Sequence, residues 1–282
     1  MKNSSKNSTD KLLKELADKY ETSDFISSDP SQFLKRYKRV IDIEVFSFTA
    51  AMLSFGSRKQ FIPKIEYLAE LADMWAYEKG MEPSFAAWVM SGDYRKTLIS
   101  DDGNTEKKFY RFYSYDDLYV FFDEMQQILR ISGSFGRFLR ESWQDMQSVE
   151  LREAGIKESE RFEKIYPLDR IIGDAFSRSR LVSKGKNSAN KRIHMFLRWM
   201  VRINSPVDLG LWTWYNPKDL LIPLDVHVMK ESIKLGLISE TSKPNRKTAV
   251  LLTERLKEIW PCDPCKGDFS LFGLGIDKEQ KI

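Results

Sequence analysis

Residues 181–202 read Leu181-Val182-Ser183-Lys184-Gly185-Lys186-Asn187-Ser188-Ala189-Asn190-Lys191-Arg192-Ile193-His194-Met195-Phe196-Leu197-Arg198-Trp199-Met200-Val201-Arg202. The first eight are mostly small or polar with Gly185 at the turn, the composition of a hairpin loop, and Asn187 or Ser188 is available to cap a following helix. The pattern then becomes helical. At about 100° per residue, Lys191, Met195, Arg198 and Arg202 fall on one side, and Ile193, Phe196, Leu197 and Met200 on the other. The spacing predicts a helix over Ala189–Arg202 that packs one face and presents a row of cations on the other, with Lys191 on its first turn beside the loop. Ser177–Arg180 read as the end of the preceding helix. Outward backbone amides and lysines at such a loop, with the dipole of the second helix behind them, suit a phosphate. The competing reading is a solvated basic loop.

Charge distribution favours the phosphate. The 282 residues hold 45 Lys+Arg against 41 Asp+Glu, a formal charge of only +4. Yet Ala175–Val207 contains no acid and carries +8 through Arg178, Arg180, Lys184, Lys186, Lys191, Arg192, Arg198 and Arg202, so the rest of the chain sums to −4. An acidic body with one basic segment points to a polyanion held at a single place.

Composition excludes several classes. At 42% hydrophobic and 13% aromatic residues the chain is not disordered. No run reaches the ~18 uncharged apolar residues of a membrane span. The polar start Met1-Lys2-Asn3-Ser4-Ser5-Lys6-Asn7-Ser8 lacks the apolar stretch of a signal peptide. Two cysteines build no disulfide framework, so a reducing cytosol is expected. Cys262 and Cys265 are half a zinc site with no second pair, and free thiols are expected.

The length suffices for one large domain or two small lobes. Residues 1 to about 9 read as a tail, followed by a periodic segment from Asp10 to Leu16 capped by Thr9 or Asp10. Ser28-Asp29-Pro30 opens a short helix. Asp42–Phe55 is apolar almost all round and belongs in a core. Pro63 starts an amphipathic helix through Ile65, Leu68, Leu71, Ala72 and Trp75, and further helices fit Pro83–Met90, Tyr115–Ile131, Phe135–Ser148 and Glu158–Tyr166. Ser100–Lys108 reads as an exposed loop. Alternation with period two never persists, so the expected class is all-α.

After a loop rich in Pro and Trp comes Ile222-Pro223-Leu224-Asp225-Val226-His227-Val228-Met229. Asp225 is placed to cap a helix running to about Leu235, with Gly236 as its stop. An ordinary N-cap explains that aspartate and leaves a chemical role open. His227 reads as a packed histidine. Trp199, Trp212, Trp214 and Phe272 are large aromatics, each more often a core residue than a stacking surface for a ligand.

Three segments in this order resemble the helix-hairpin-helix DNA glycosylase superfamily. They are the apolar helix and turn Phe48–Ser57, similar to the leading helix and wedge loop; the hairpin entering Lys191-Arg192; and Pro223-Leu224-Asp225-Val226-His227-Val228, which looks like the segment of the superfamily aspartate. The separation of 34 residues between Lys191 and Asp225 is closest to the archaeal 8-oxoguanine branch. With the tail Asp268-Phe269-Ser270-Leu271-Phe272-Gly273-Leu274-Gly275, the pattern over residues 23–280 resembles a bacterial family of unknown function within that superfamily.

The resemblance implies two helical lobes around a central cleft. Residues 1–22 would be a tail and short helix, 45–202 mainly one lobe ending in the hairpin, and 23–44 plus 203–282 mainly the other. It implies base-excision repair by a bifunctional glycosylase and AP lyase acting on an oxidised purine in duplex DNA, in the bacterial cytoplasm at the nucleoid. Lys191 would be the nucleophile and Asp225 its partner carboxylate, with Lys184, Gly185, Lys186, Arg192, Arg198 and Arg202 holding phosphates. No metal, cofactor, membrane or obligate protein partner is implied.

The sequence also departs from the superfamily. Ser183-Lys184-Gly185-Lys186 replaces the usual Pro-Gly-Val-Gly, Phe55 or a neighbour stands where a glutamine is common, and the absent four-cysteine ladder excludes an iron–sulfur cluster. The rival reading is a nucleic-acid-binding protein that keeps the scaffold without the chemistry. A third is a module whose basic patch meets an acidic protein.

Overall fold

The computed structural model describes residues 2–24, 29–150 and 166–279, and its regular structure is helical apart from one small antiparallel hairpin. In chain order come α1 (Lys2–Tyr20), a 3-10 turn (Pro30–Lys35), α2 (Val40–Leu53), α3 (Arg58–Glu78), α4 (Phe85–Ser91) and α5 (Tyr94–Thr97). Strands β1 (Lys108–Tyr110) and β2 (Tyr113–Ser114) precede α6 (Tyr115–Ser132), α7 (Phe135–Glu150) and α8 (Leu168–Ala175). Then follow α9 (Lys191–Val201), a 3-10 turn (Pro217–Asp219), α10 (Val226–Lys234), α11 (Arg246–Lys257) and α12 (Lys266–Glu279). The all-α expectation holds. The helix expected over Glu158–Tyr166 falls on residues 158–165, outside the described residues.

The chain divides into two compact units, one comprising 1–27, 158–166 and 185–282, the other 28–157 and 167–184. The division falls between Lys184 and Gly185. Residues 185–202, which the sequence groups with 45–184, thus lie in the unit that holds 203–282.

The unit of residues 28–157 and 167–184 is built on an aromatic core. Helix α2 is buried on every face, as its unbroken apolar run demands. Phe46 meets Phe33 and Tyr37 edge-on at centroid distances of 5.8 and 5.2 Å, while Phe48, two residues on, packs against Phe121, Phe135 and Phe176. Asp42 is buried here with a structural task, because its Oδ1 accepts from Ser84 Oγ at 2.7 Å and from the Ala86 N–H at 2.9 Å, at the start of α4. The reciprocal capping of Ser114 and Asp117 sets the start of α6.

Three expectations change in this unit. Helix α3 begins at Arg58 after Ser57, so Pro63 lies inside it rather than at its start. Strands of three and two residues form the hairpin, too short for a period of two to be visible in sequence. Helix α8 stops at Ala175, before Ser177–Arg180. There, buried Glu124 accepts the N–H groups of Arg178 and Ser179 at 2.8 and 3.0 Å, the donors a continuing helix would use for itself.

In the other unit α1 packs against α12. Gly273 makes the close approach possible, since a Cβ there would stand 2.1 Å from the ring of Tyr20. Leu13 joins a core formed by Leu221, Ile222, Leu224, Val228, Ala249, Leu252, Leu256 and Leu271. The expected tail at residues 1–9 is instead helical from Lys2. Buried Leu13, Leu16 and Ala17 anchor the helix, and propagation from an anchored nucleus is far easier than initiation. Neither Thr9 nor Asp10 is its cap, and Asp10 pairs with Arg255. Among the described residues no helix is long and apolar enough to cross a membrane.

Candidate functional site

Two helix starts bring Lys191 and Asp225 together within one unit. The chain enters α9 through Asn190, whose left-handed backbone (φ 43°) reverses direction in one residue, a conformation asparagine tolerates better than most side chains. Asn190, not Asn187 or Ser188, therefore occupies the cap position, and no side chain caps the helix. Lys191 is the first residue of α9, with its side chain 37% exposed. Asp225 caps α10 as its spacing predicts, Oδ1 accepting from the Val228 N–H at 2.8 Å. Its other oxygen, Oδ2, lies 3.0 Å from Lys191 Nζ. The cap thus orients the carboxylate and leaves one oxygen for the lysine.

Electrostatics keep that carboxylate ionised. Burial pushes the Asp225 carboxyl up, but the Lys191 ammonium, the Val228 N–H and the nearby His227 ring more than compensate, and it lies below the ordinary carboxylate range. His227, expected to be packed, is exposed on the first turn of α10, while the adjacent Val228 takes the inward position.

The expected row of phosphate-holding cations on α9 is corrected by the structure. Arg198 and Arg202 are buried, with side chains 6% and 2% exposed. Arg198 pairs with Asp208 at 3.3 Å and with Asp268. Arg202 pairs with Asp208, with Asp263 at 2.8 Å and with Glu21 at 2.8 Å, and both guanidinium groups lie over the ring of Phe269. Helical angle correctly groups Lys191, Arg198 and Arg202 on one face, but that face meets acids from residues 21, 208, 263 and 268. A guanidinium entering a core needs such partners. Linear spacing offered no cue to them.

Among the described residues, the ion pairs along this face bring Glu21, Asp208, Asp225, Asp263 and Asp268 to Lys191, Arg198 and Arg202. Burial is the main reason that the Asp268 carboxyl is raised to about 6; the field of Arg198 opposes it, that of Asp225 adds to it, and Lys191 and Asp208 act in the same two senses more weakly. The folded chain therefore holds this proton more tightly than an unfolded chain with an ordinary aspartate near pH 4. The resulting stabilisation is complete below about pH 4 and lost as pH rises through about 6. Asp268→Asn should remove that slope. Denaturant unfolding at about pH 4 and about pH 7 should show wild type losing roughly 2 kcal/mol relative to the variant, since each tenfold change in proton affinity is worth ~1.4 kcal/mol and an unfolded aspartate is already about half ionised at the lower pH.

The loop residues divide by unit. Lys184 is exposed, but its Nζ donates to the carbonyls of Ser177 and Ser179 at 2.8 and 2.7 Å, so it closes the turn after α8 rather than standing ready for a phosphate. In the other unit Gly185 opens a tight turn in which the Ser188 N–H donates to its carbonyl at 3.0 Å. A Cβ at Gly185 would come within 3.2 Å of Ser188 Cβ. Lys186 is exposed on this turn, and Arg192 half-exposed on the first turn of α9.

The aromatic candidates separate. Trp199 and Trp212 are core, and Trp214 stacks on Trp212 at 5.6 Å with part of its surface open. Cys262 is an exposed free thiol and Cys265 a buried one, whose proton burial holds tightly. No cluster of metal-ligating side chains occurs among the described residues.

Taken together, the helical frame and its convergent pair define an all-α protein that places a half-exposed amine against a capped carboxylate. Residues 29–277 match the family model described as protein of unknown function (DUF2400), and the chain belongs to that family. No curated protein and no solved structure matches it.

Proposed function

We propose that this protein is a DNA glycosylase with AP lyase activity, acting on an oxidised purine in duplex DNA with Lys191 as nucleophile and Asp225 as its partner. The observation that carries this reading is the 3.0 Å approach of Lys191 Nζ to Asp225 Oδ2. The resemblance of both segments to the superfamily's lysine and aspartate supplies the chemistry.

An enzyme acting on a base within a duplex must turn the nucleotide out of the stack, at a cost of a few kcal/mol. Proton transfer across the short contact to Asp225 makes the amine nucleophilic. The Nζ–C1′ bond then forms as the bond from C1′ to the base nitrogen breaks. The electron pair leaves with the base, which takes up a proton. Sugar ring opening gives a Schiff base, and loss of a proton from C2′ expels the 3′ phosphate by β-elimination. Asp225 passes the proton taken from Lys191 on to the departing base and, ionised again as its surroundings favour, stabilises the positive charge that develops on the sugar. Lys184, Arg198 and Arg202 are engaged internally, whereas Gly185 and Lys186 are exposed and Arg192 is half-exposed, so the phosphate contacts are assigned to these three by their position at the surface.

Borohydride reduction in the presence of 8-oxoguanine or abasic duplex tests the reading. A stable covalent adduct with wild type, absent from Lys191→Ala, is the expected result. Duplex binding without any adduct would transfer the protein to the non-catalytic alternative. No binding even at low salt would favour an acidic protein as the partner.

A further inference from the structure

A second basic segment sits against the loop, and its linear distance from the first concealed it. Ser188 and Asn245 form an antiparallel bridge, and the Arg246 N–H donates to the Asn187 carbonyl at 3.0 Å. The sequence around that bridge is Lys243-Pro244-Asn245-Arg246-Lys247, and no acid occurs from Thr241 to Thr253. Asn245 caps α11 through the Thr248 N–H, and Arg246 Nη2 donates to the Tyr166 carbonyl at 2.8 Å, so the segment is held by its own backbone and core contacts.

Antiparallel pairing places the lysines in order. The Arg246–Asn187 hydrogen bond continues the bridge by one residue, so Lys186, in the turn just before Asn187, and Lys247, on the first turn of α11 just after Arg246, lie to the same side of it. Lys243 lies two before Asn245 and Lys191 three after Ser188, at the other end. Lys186, Lys243 and Lys247 are exposed. Cations gathered on a rigid backbone repel one another, and a row of anions relieves that repulsion.

We infer that Lys243 and Lys247, aligned with Lys186 by the Ser188–Asn245 bridge, form a second phosphate-contacting surface whose occupant is the sugar–phosphate backbone of a nucleic acid. A protein partner fits less well, because a stable protein interface has an apolar centre. The exposed residues beside the bridge are Lys186, Asn187, Lys243, Pro244 and Lys247, and a single exposed apolar side chain, Leu251, lies one turn beyond Lys247, too little for an apolar centre. A backbone of regularly spaced phosphates needs only cations on a fixed frame. This inference rests on the proposed reading for the nature of the ligand, and not for the Lys191 chemistry.

Binding of a fluorescein-labelled duplex, followed by anisotropy between about 50 and 200 mM salt, tests it. Wild type is compared with the double variant Lys243→Gln/Lys247→Gln and with a control of equal charge loss on α1, Lys11→Gln/Lys14→Gln. The first variant should flatten the plot of log affinity against log salt by about 1.8, because each phosphate no longer neutralised takes ~0.9 from the slope, and the control should leave it unchanged. An unchanged slope in the first variant, or an equal change in the control, overturns the inference. So does a wild-type protein that binds polyglutamate and not duplex. A flattened slope without borohydride adduct upholds this surface and removes the chemistry; an adduct with an unchanged slope does the reverse.

Discussion

Lys191→Ala should reduce the borohydride-trapped adduct to background, and Asp225→Asn should slow its formation by about 10²- to 10⁴-fold, the usual worth of a positioned acid or base. The two variants test different atoms. Alanine removes the amine that would bond to C1′, and nothing else in the pair replaces it. Asparagine keeps the shape of Asp225 and remains a good N-cap, so the helix start at Val226 survives while the charge facing Lys191 at 3.0 Å is lost. Asp225→Ala would confound the result, since losing the cap costs about 1 kcal/mol in addition to the charge. Single-turnover trapping with abasic duplex, alongside thermal unfolding of each variant, separates chemistry from folding. An Asp225→Asn rate equal to wild type would show that the carboxylate contributes only the cap.

Arg202→Ala should lower unfolding stability by about 3–5 kcal/mol, the range for removing one partner of a buried ion pair. Its guanidinium is 2% exposed and meets Asp208, Asp263 and Glu21, and Asp263, Glu21 and Phe269 reach it from segments far away in sequence. Burial alone would lower the guanidinium pKa, and the surrounding carboxylates raise it well above its ordinary value, so the charge stays. Truncation leaves those carboxylates without their cation. Lys186→Ala, exposed in the loop that leads into the same helix, is expected to change stability by no more than about 0.5 kcal/mol. Denaturant unfolding of both variants decides this; equal losses would mean that the buried ionic group contributes nothing particular to the fold.

How far the sequence could be read depended on the range of the interaction. Local features were legible. The apolar run around Phe46 and Phe48 predicted a buried helix, and Asp225 predicted a cap. The cap at Asp29 and the start at Tyr115 also follow from neighbouring residues. At α8 and α1 the expectation failed because a distant partner had taken over. Glu124 ends α8 early by accepting N–H groups 54 and 55 residues away. Helix α1 extends to Lys2 because its buried face is anchored against α12.

The site divides along the same line. Its composition and the angular grouping of Lys191, Arg198 and Arg202 are properties of the chain and its helical period. Their environments are not. Lys191 stays at the surface beside one carboxylate, whereas Arg198 and Arg202, on the same face, are enclosed by acids and by Phe269. By itself the sequence determined an all-helical chain with one concentrated basic segment, because helix formation and net charge depend on near neighbours and simple sums. Only the tertiary structure decided which of those cations are available, by bringing up Glu21, Asp263, Asp268 and a second basic segment, all far away along the chain, beside the nearer Asp208. Ion pairing acts over a few ångströms of space, whatever the distance in sequence.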